Sequence, residues 1–452
     1  MDAVSLSRLQ FALTASFHFI YVPLTLGLTV LIALIEYRYY RTQEQIFDRM
    51  GRFWTKLMAI NFAIGVATGI TMEFQFGTNW ANYSRFVGDI FGAPLAAEGI
   101  FAFFLESTFI GLLLFGRDKI SRRMRFLAAA LLAFGTNLSA FWILSANSWQ
   151  QTPAGFKVEG GRAFLTDFLQ ALFNHSTLPR FFHTVFGGYI LAAFFMLAVS
   201  AYYLRRGRNQ EIAKPSLKLA LAFGLVFALA QIPVGHWHTQ EVAQYQPVKL
   251  AAFEANWQTQ AQAPLTLFAV PDASAGTNRA EIAVPGLLSW LAYNNPSAPV
   301  LGLKDVPGAE RPPLLASFYS FHVMVYIGAV LVLVLLWGAV RWRQGKLFQS
   351  RRLLRTFMLV LPLPYLAVQL GWMATEIGRQ PWIVQGLLKT ADAASAAGTV
   401  PAGQVLLTTL FFIVYYSCLF VLFLYLMQKT IRQEGLPQSA KSLGQAGVSH
   451  QM

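Results

Sequence analysis

The chain is poor in charge and nearly devoid of cysteine. Asp, Glu, Lys and Arg make up 12% of its 452 residues, roughly half the share of an ordinary soluble protein. So little polar surface cannot cover a hydrophobic content of 55% in water, which excludes a single soluble domain. The same hydrophobicity excludes a disordered chain. The one cysteine, Cys418, lies in an apolar run. A single thiol excludes an internal disulfide, a Cys-ligated zinc and an iron–sulfur cluster held by this chain alone. No internal repeat is visible, and low complexity is confined to an Ala/Gly-rich link at 391–403.

What the chain has instead is long apolar runs. A bilayer core needs about 20 apolar residues as helix. Nine runs meet that need, at 9–36, 53–76, 95–115, 126–148, 181–204, 217–236, 316–340, 356–376 and 404–428. The first lacks an Ala-x-Ala cleavage pattern and is too long for a signal sequence, so it reads as a retained span. The expected fold class is all-α: a polytopic membrane protein with nine transmembrane helices. Residues 1–236 carry six spans, 237–315 form a long Pro-, Ala- and Gln-rich outer loop, 316–430 carry three more spans, and 431–452 form a tail.

Most of the 35 Lys and Arg lie in the connections after the first, third, fifth and seventh spans, and in the tail. Arg38 and Arg41, Arg122 and Arg123, Arg205 and Arg206, and Arg341 and Arg343 mark those connections. The positive-inside rule then puts the N-terminus outside and the C-terminus in the cytoplasm. The net charge of +14 is therefore mainly a topology signal, and nucleic acid is not an expected partner.

Ionisable and metal-ligating groups inside spans are costly and so are functional candidates. His18 lies in span one, Glu98 and Glu106 in span three, His183 at the start of span five, Met324 in span seven and Glu376 at the end of span eight. Each also has a structural explanation: an interhelical hydrogen bond, packing, or an ion pair of Glu376 with Arg379. The alternating span directions, however, bring His18, Glu98, His183, Met324 and Glu376 to the outer side together. Imidazole and thioether are haem-iron ligands. The chemistry alone thus suggests an outward-side haem protein, with a secondary transporter or a non-catalytic membrane haem protein as rivals.

Longer motifs sharpen this. The stretch Gly65-Val66-Ala67-Thr68-Gly69-Ile70-Thr71-Met72-Glu73-Phe74-Gln75-Phe76-Gly77-Thr78-Asn79-Trp80 resembles subunit I of cytochrome bd-type quinol oxidases. So do Asp89 to Pro94 leading to Glu98, Phe103-Phe104-Leu105-Glu106-Ser107-Thr108, Trp142 to Trp149, Lys249-Leu250-Ala251-Ala252 and Gly378-Arg379-Gln380-Pro381-Trp382. The outer loop lacks a long insertion, so the chain resembles the short-loop branch, including the subgroup described as cyanide-insensitive.

The resemblance implies a respiratory terminal oxidase of the bacterial cytoplasmic (inner) membrane. It would oxidise membrane quinol at the outer side and reduce O2 to water with cytoplasmic protons, generating proton motive force. It implies haem b558, haem b595 and haem d, or a further haem b in place of d. It also implies a partner subunit II, sometimes joined by a small single-span subunit. His183 and Met324 match the axial ligands of b558. His18 and Glu376 match the ligands of the two high-spin haems, with the allocation between them open. Glu98 matches the carboxylate beside the oxygen-reducing haem, and Lys249 with Glu254 matches the quinol-interacting pair of the outer, or Q-, loop. Arg8 and Arg379 suit haem propionates, because Arg forms bidentate bonds to carboxylates; Trp382 and Trp372 suit packing against haem.

Two positions depart from the pattern. His236 follows Gly235 where the family commonly has an acid, which bears on the quinol site. His322 stands where it commonly has Arg, which bears on b558. Glu106, eight residues beyond Glu98, should lie about 12 Å deeper and roughly 80° around the helix. It reads as part of an inward-facing proton path through water, Ser107 or Ser139, with Asn147 near the haem cluster. Glu73 is assigned no role.

Overall fold

The computed structural model describes residues 2–395 and 399–434, so most of the expected tail lies outside the described residues. Among the described residues, nine helical segments are long and apolar enough to cross a membrane. They are Ala3–Thr42, Gln45–Thr78, Ala81–Phe115, Arg122–Gln151, Phe168–Arg206, Gln210–Tyr245, Leu314–Arg343, Arg351–Ile377 and Ala402–Glu434, called here the first to ninth spans. The nine expected spans are all present, and each helix outruns its apolar window.

The third span departs most, starting at Ala81 rather than near 95. Its early part is amphipathic rather than apolar throughout. Tyr83, Phe86, Val87, Ile90, Phe91 and Pro94 recur at helical spacing and form its buried stripe. They pack with Trp80, Trp149 and Val384 in a satellite core at the outer-loop end.

Four spans are interrupted, one of them the fifth, between Phe173 and Ser176. The first breaks between His18 and Val22, because Pro23 cannot donate a helical hydrogen bond and its ring crowds the preceding turn. The third widens into a π-helix at Glu98–Phe103, just after Pro94. The eighth breaks at Val360–Leu361, ahead of Pro362 and Pro364. The fifth span is the most enclosed of the nine. It approaches the first so closely that a Cβ on Gly27 would stand 2.4 Å from that of Ala192; small residues permit such contacts where hydrophobic burial no longer drives helices together.

The ends of the bundle differ. At the basic end, buried Glu36, Asp48, Arg117 and Arg125 join the first, second and fourth spans; Arg117 lies 2.7 Å from Glu36. At the other end, the region expected as a loop at 237–315 is folded. The sixth helix runs on to Tyr245, followed by a short helix Pro247–Phe253, a hairpin of Leu265–Asp272 with Thr277–Val284, and a helix Leu287–Tyr293.

Candidate functional site

One of the interruptions described above, in the first span, places a ligand-type side chain. His18 ends the first half of its span, and its Nδ1 lies 3.0 Å from Thr68 Oγ1. Gly69 keeps the ring edge open: a Cβ there would sit 3.0 Å from His18 Cε1. His183 Nδ1 lies 3.1 Å from the Gln231 amide nitrogen, which also donates to the His183 carbonyl. In both rings the contact is to Nδ1. The Thr68 oxygen can accept from His18 Nδ1–H and so leave Nε2 for a metal, whereas the Gln231 amide N–H donates to His183 Nδ1 and would have to turn its unpartnered oxygen there before Nε2 is free. Met324 Sδ faces Gly371, where a Cβ would come within 3.1 Å of the sulfur. Two imidazoles oriented from behind and an uncrowded thioether fit haem-iron ligation. The eighth span links these positions. Gln369 donates to the Ser16 carbonyl at 2.7 Å, and Trp372 meets Phe19 edge-on at 5.1 Å, both beside His18.

Glu376, at the end of that span, sits in a buried polar cluster. Its Oε1 accepts from Asn147 at 3.2 Å and its Oε2 from Arg379. Arg379 donates to Gln150 at 2.9 Å. Asn147 accepts from Arg180, which also donates to Ser148 at 2.8 Å. Arg180 is three residues before His183, so the cluster joins the Glu376 and His183 positions. Sequence reasoning missed Arg180, Gln150 and Gln151. A buried Arg one helical turn before an intramembrane His was the available signal for Arg180; the glutamines gave none, because amides are common at span ends.

Lys249 lies in the same cluster, on the short helix Pro247–Phe253. It is buried and donates to the side-chain oxygens of Gln151 and Gln246, the latter at 2.7 Å. Burial pushes its amine well below the usual lysine range, and the Arg379 and Arg180 charges add to this. The carboxylates whose charges act on it are Glu241 and Glu376.

Lys249 and Glu254 make their hydrogen bonds to different partners and not to each other. They are five residues apart, about 140° around a helix, so their side chains diverge. Glu254 is the C-cap and accepts from the Thr266 backbone at 3.2 Å. Burial raises its carboxyl to about 8, so it is mainly protonated at neutral pH and is not a ready proton acceptor. His322, the second departure from the family pattern, lies in the seventh span and faces two carbonyls: Thr266 at 2.9 Å from Nε2 and Phe318 at 3.1 Å from Nδ1. His236 lies 3.1 Å from the Gln240 amide and stacks near Trp290. On the sixth span, Glu241 lies near enough for its charge to act on Lys249, and it accepts from Ser176.

The remaining candidates are more peripheral. Arg8 is exposed and donates to Gln380 at 3.1 Å. Trp382 starts a short strand with the Lys389 ammonium 5.4 Å above its ring.

Deeper in the bundle, Glu98 accepts from Ser139 at 2.8 Å. Glu106 is buried beside Thr136, at a close approach of the third and fourth spans that Gly135 permits. The straight-helix offset of 80° does not hold between them. The intervening π-helix takes more residues per turn, so Glu106 rotates less far from the face of Glu98. Glu73 and Glu106 are each close enough to Glu98 for charges to interact.

A match to the family described as "Cytochrome bd terminal oxidase subunit I" runs over residues 6–435. The chain belongs to that family. Subunit 1 of the cytochrome bd-II ubiquinol oxidase of Escherichia coli (strain K12) is 40% identical over 499 residues, covering 95% of this chain and 96% of that protein. Subunit 1 of the cytochrome bd ubiquinol oxidase of Bacillus subtilis (strain 168) is 41% identical, covering 96% and 94%. The bd oxidase structure from Geobacillus thermodenitrificans superposes with a TM-score of 0.88 at 31% identity, over 96% of this chain and 99% of that one. Nine apolar helices and this membership make the chain a multi-pass protein of the bacterial inner membrane and a subunit of a haem-containing respiratory terminal oxidase.

Proposed function

We propose that this subunit oxidises membrane quinol at the Q-loop end and supports reduction of O2 to water with protons drawn from the basic, cytoplasmic end. The observation that carries the reading is the buried cluster in which Q-loop Lys249 and intramembrane Glu376 have partners about one turn apart on the fourth span: Gln151 for one, Asn147 for the other. A quinol headgroup docked by Lys249 would stand next to the residues that hold haem.

Bound haem supplies electron transfer and the iron at which O2 is reduced. His183 and Met324 would hold the low-spin b558 group, and His18 and Glu376 the two high-spin groups, one of them haem d or a further haem b. Arg379 and Arg8 suit propionates, and Trp382 suits packing at the rim. Lys249 orients a quinone oxygen. Glu254, protonated at rest, takes up quinol protons only after passing on its own. Glu98, which accepts from Ser139, exchanges a proton at the O2-reducing end, and Glu106 passes protons towards it from the cytoplasmic side. Quinol protons leave outside while consumed protons enter from inside, so turnover moves charge across the membrane. The working enzyme includes subunit II, with or without a small single-span subunit. Relatives named for ubiquinol and for menaquinol both match, so either quinol is a fit substrate.

The test is an optical spectrum of the purified complex, into the red region where haem d absorbs, with quinol-dependent O2 uptake on the same sample. Haem bands with turnover support the reading. Haem without turnover would indicate a non-catalytic haem protein, and neither would indicate a transporter. Met324→Leu should lose or shift the low-spin b signal; an unchanged spectrum and potential would reject that ligand assignment.

A further inference from the structure

The outer hairpin of the Q-loop is fastened to the side of the seventh span rather than held above it. Three bonds fix the free edge of its first strand. The Thr266 N–H donates to Glu254 at 3.2 Å, the Thr266 carbonyl lies 2.9 Å from His322 Nε2, and the Leu267 carbonyl accepts from the Tyr326 hydroxyl. The level of those anchors follows from helix geometry. The seventh helix closes on Arg341 and Arg343, which mark one face of the hydrocarbon. Counting back about 20 residues, the length that spans roughly 30 Å at 1.5 Å per residue, reaches Phe321. His322 and Tyr326 thus lie at or inside the opposite boundary, and so does the strand edge bonded to them.

The hairpin's own surface suits that depth. A register shift between Thr266 and Phe268 turns two neighbouring apolar residues, Leu267 and Phe268, away from the protein. Phe268 is 48% exposed and Ile282, its cross-strand partner, 62%. Val270 and Val284 extend the same exposed surface. Polar groups sit at the far tip, where Arg279 pairs with Asp272 at 2.7 Å. Exposed Tyr319 and Tyr326 on the span and Trp290 on the loop mark an interfacial aromatic level beside it. The second strand's unpaired edge sets a limit on depth, because open sheet edges are not tolerated in hydrocarbon.

We propose that the root of this hairpin lies in the outer leaflet at the headgroup–acyl boundary. Leu267, Phe268, Val270, Ile282 and Val284 contact lipid chains, and the Asp272–Arg279 tip stays in water. Lipid is the occupant because the patch continues the apolar flank of a membrane span, at the depth where that flank already meets lipid.

The experiment uses the intact oxidase complex carrying Cys418→Ser, which removes this chain's only thiol. Phe268→Cys, and separately Ile282→Cys, is labelled with bimane and reconstituted in nanodiscs. Complex carrying Cys418→Ser alone gives the label background from other subunits, and retained haem spectra report folding. Ser274→Cys at the tip is the aqueous control. Loss of bimane fluorescence with doxyl-labelled lipid, and none with iodide, is expected at 268 and 282, with the reverse at 274. Iodide quenching at 268 and 282 would place the root in water and overturn the proposal. Quenching by neither would mean that a protein surface covers it, and would overturn it equally.

Discussion

Thr68 fixes which nitrogen of His18 carries the proton. Its hydroxyl lies 2.9 Å from the Gly65 carbonyl, which takes its one hydrogen. The same oxygen, 3.0 Å from His18 Nδ1, must then accept, so Nδ1 is protonated and Nε2 keeps its lone pair for iron. Thr68→Val should weaken haem retention at the His18 position by about 10–100-fold, the usual effect of losing such a supporting bond; Thr68→Ser should retain it. Haem content per purified complex checks this, and full occupancy in Thr68→Val would refute it. Glu254 carries a different prediction. Its folded value of about 8 lies above the usual 4.5, so the folded state keeps a proton that the unfolded chain releases. Its contribution to stability is therefore complete below pH 4.5 and is lost as pH rises towards 8. Glu254→Gln should flatten the fall in thermal stability across that window; an unaltered slope would show that another group causes it. That His18, His183 and Met324 lie inside spans was legible from the long apolar runs around them; each also has a structural explanation, so it was the resemblance that singled them out as candidate ligands. The separation of Lys249 from Glu254 was not legible, because it depends on where the short helix ends and on what buries each face.

The fourth span contributes a polar contact to each of Glu98, Glu106, Glu376, Arg379 and Lys249. Thr136 borders Glu106, Ser139 binds Glu98, Asn147 binds Glu376, Gln150 binds Arg379 and Gln151 binds Lys249. From 136 to 151 the helix rises about 22 Å, most of the hydrocarbon thickness. A single rigid element thus sets the relative depths of the carboxylates and of the quinol-loop lysine. Ser139 and Asn147 were readable from sequence as polar residues at helical spacing. Their partners were not, since the π-helix at Glu98–Phe103 rotates the third span by an amount that no apolar period reports. If protons move along this face, Glu106→Gln should lower O2 consumption and voltage generation in proteoliposomes by about 100-fold, the lower range for a lost proton-transfer group. Ser139→Ala removes one bond to a carboxylate and should cost about tenfold. Normal O2 uptake and voltage in Glu106→Gln would take this residue out of the path.

Across the whole molecule, sparse charge becomes informative through its placement. The nine-span plan was legible because apolar length is a strong signal in a membrane protein. The folding of 237–315 into two short helices and an anchored hairpin was not, because the bonds that anchor the hairpin run to the seventh span, far away in sequence. The direction of charge movement rests on one further property, the orientation of the bundle. The basic connections and the buried Glu36–Arg117 pair lie at one end, and Lys249, Glu376 and the Q-loop at the other. The positive-inside rule sends the first end to the cytoplasm. A green fluorescent protein fused to the C-terminus should then fluoresce, and alkaline phosphatase at the same point should be inactive. Alkaline phosphatase inserted at Gly276, in the exposed hairpin turn, should be active. The reverse pattern would leave membership of the oxidase family intact but would put quinol oxidation on the inside. Glu106 would then face the wrong compartment for the proposed proton uptake, and the charge-separating scheme would fail with it.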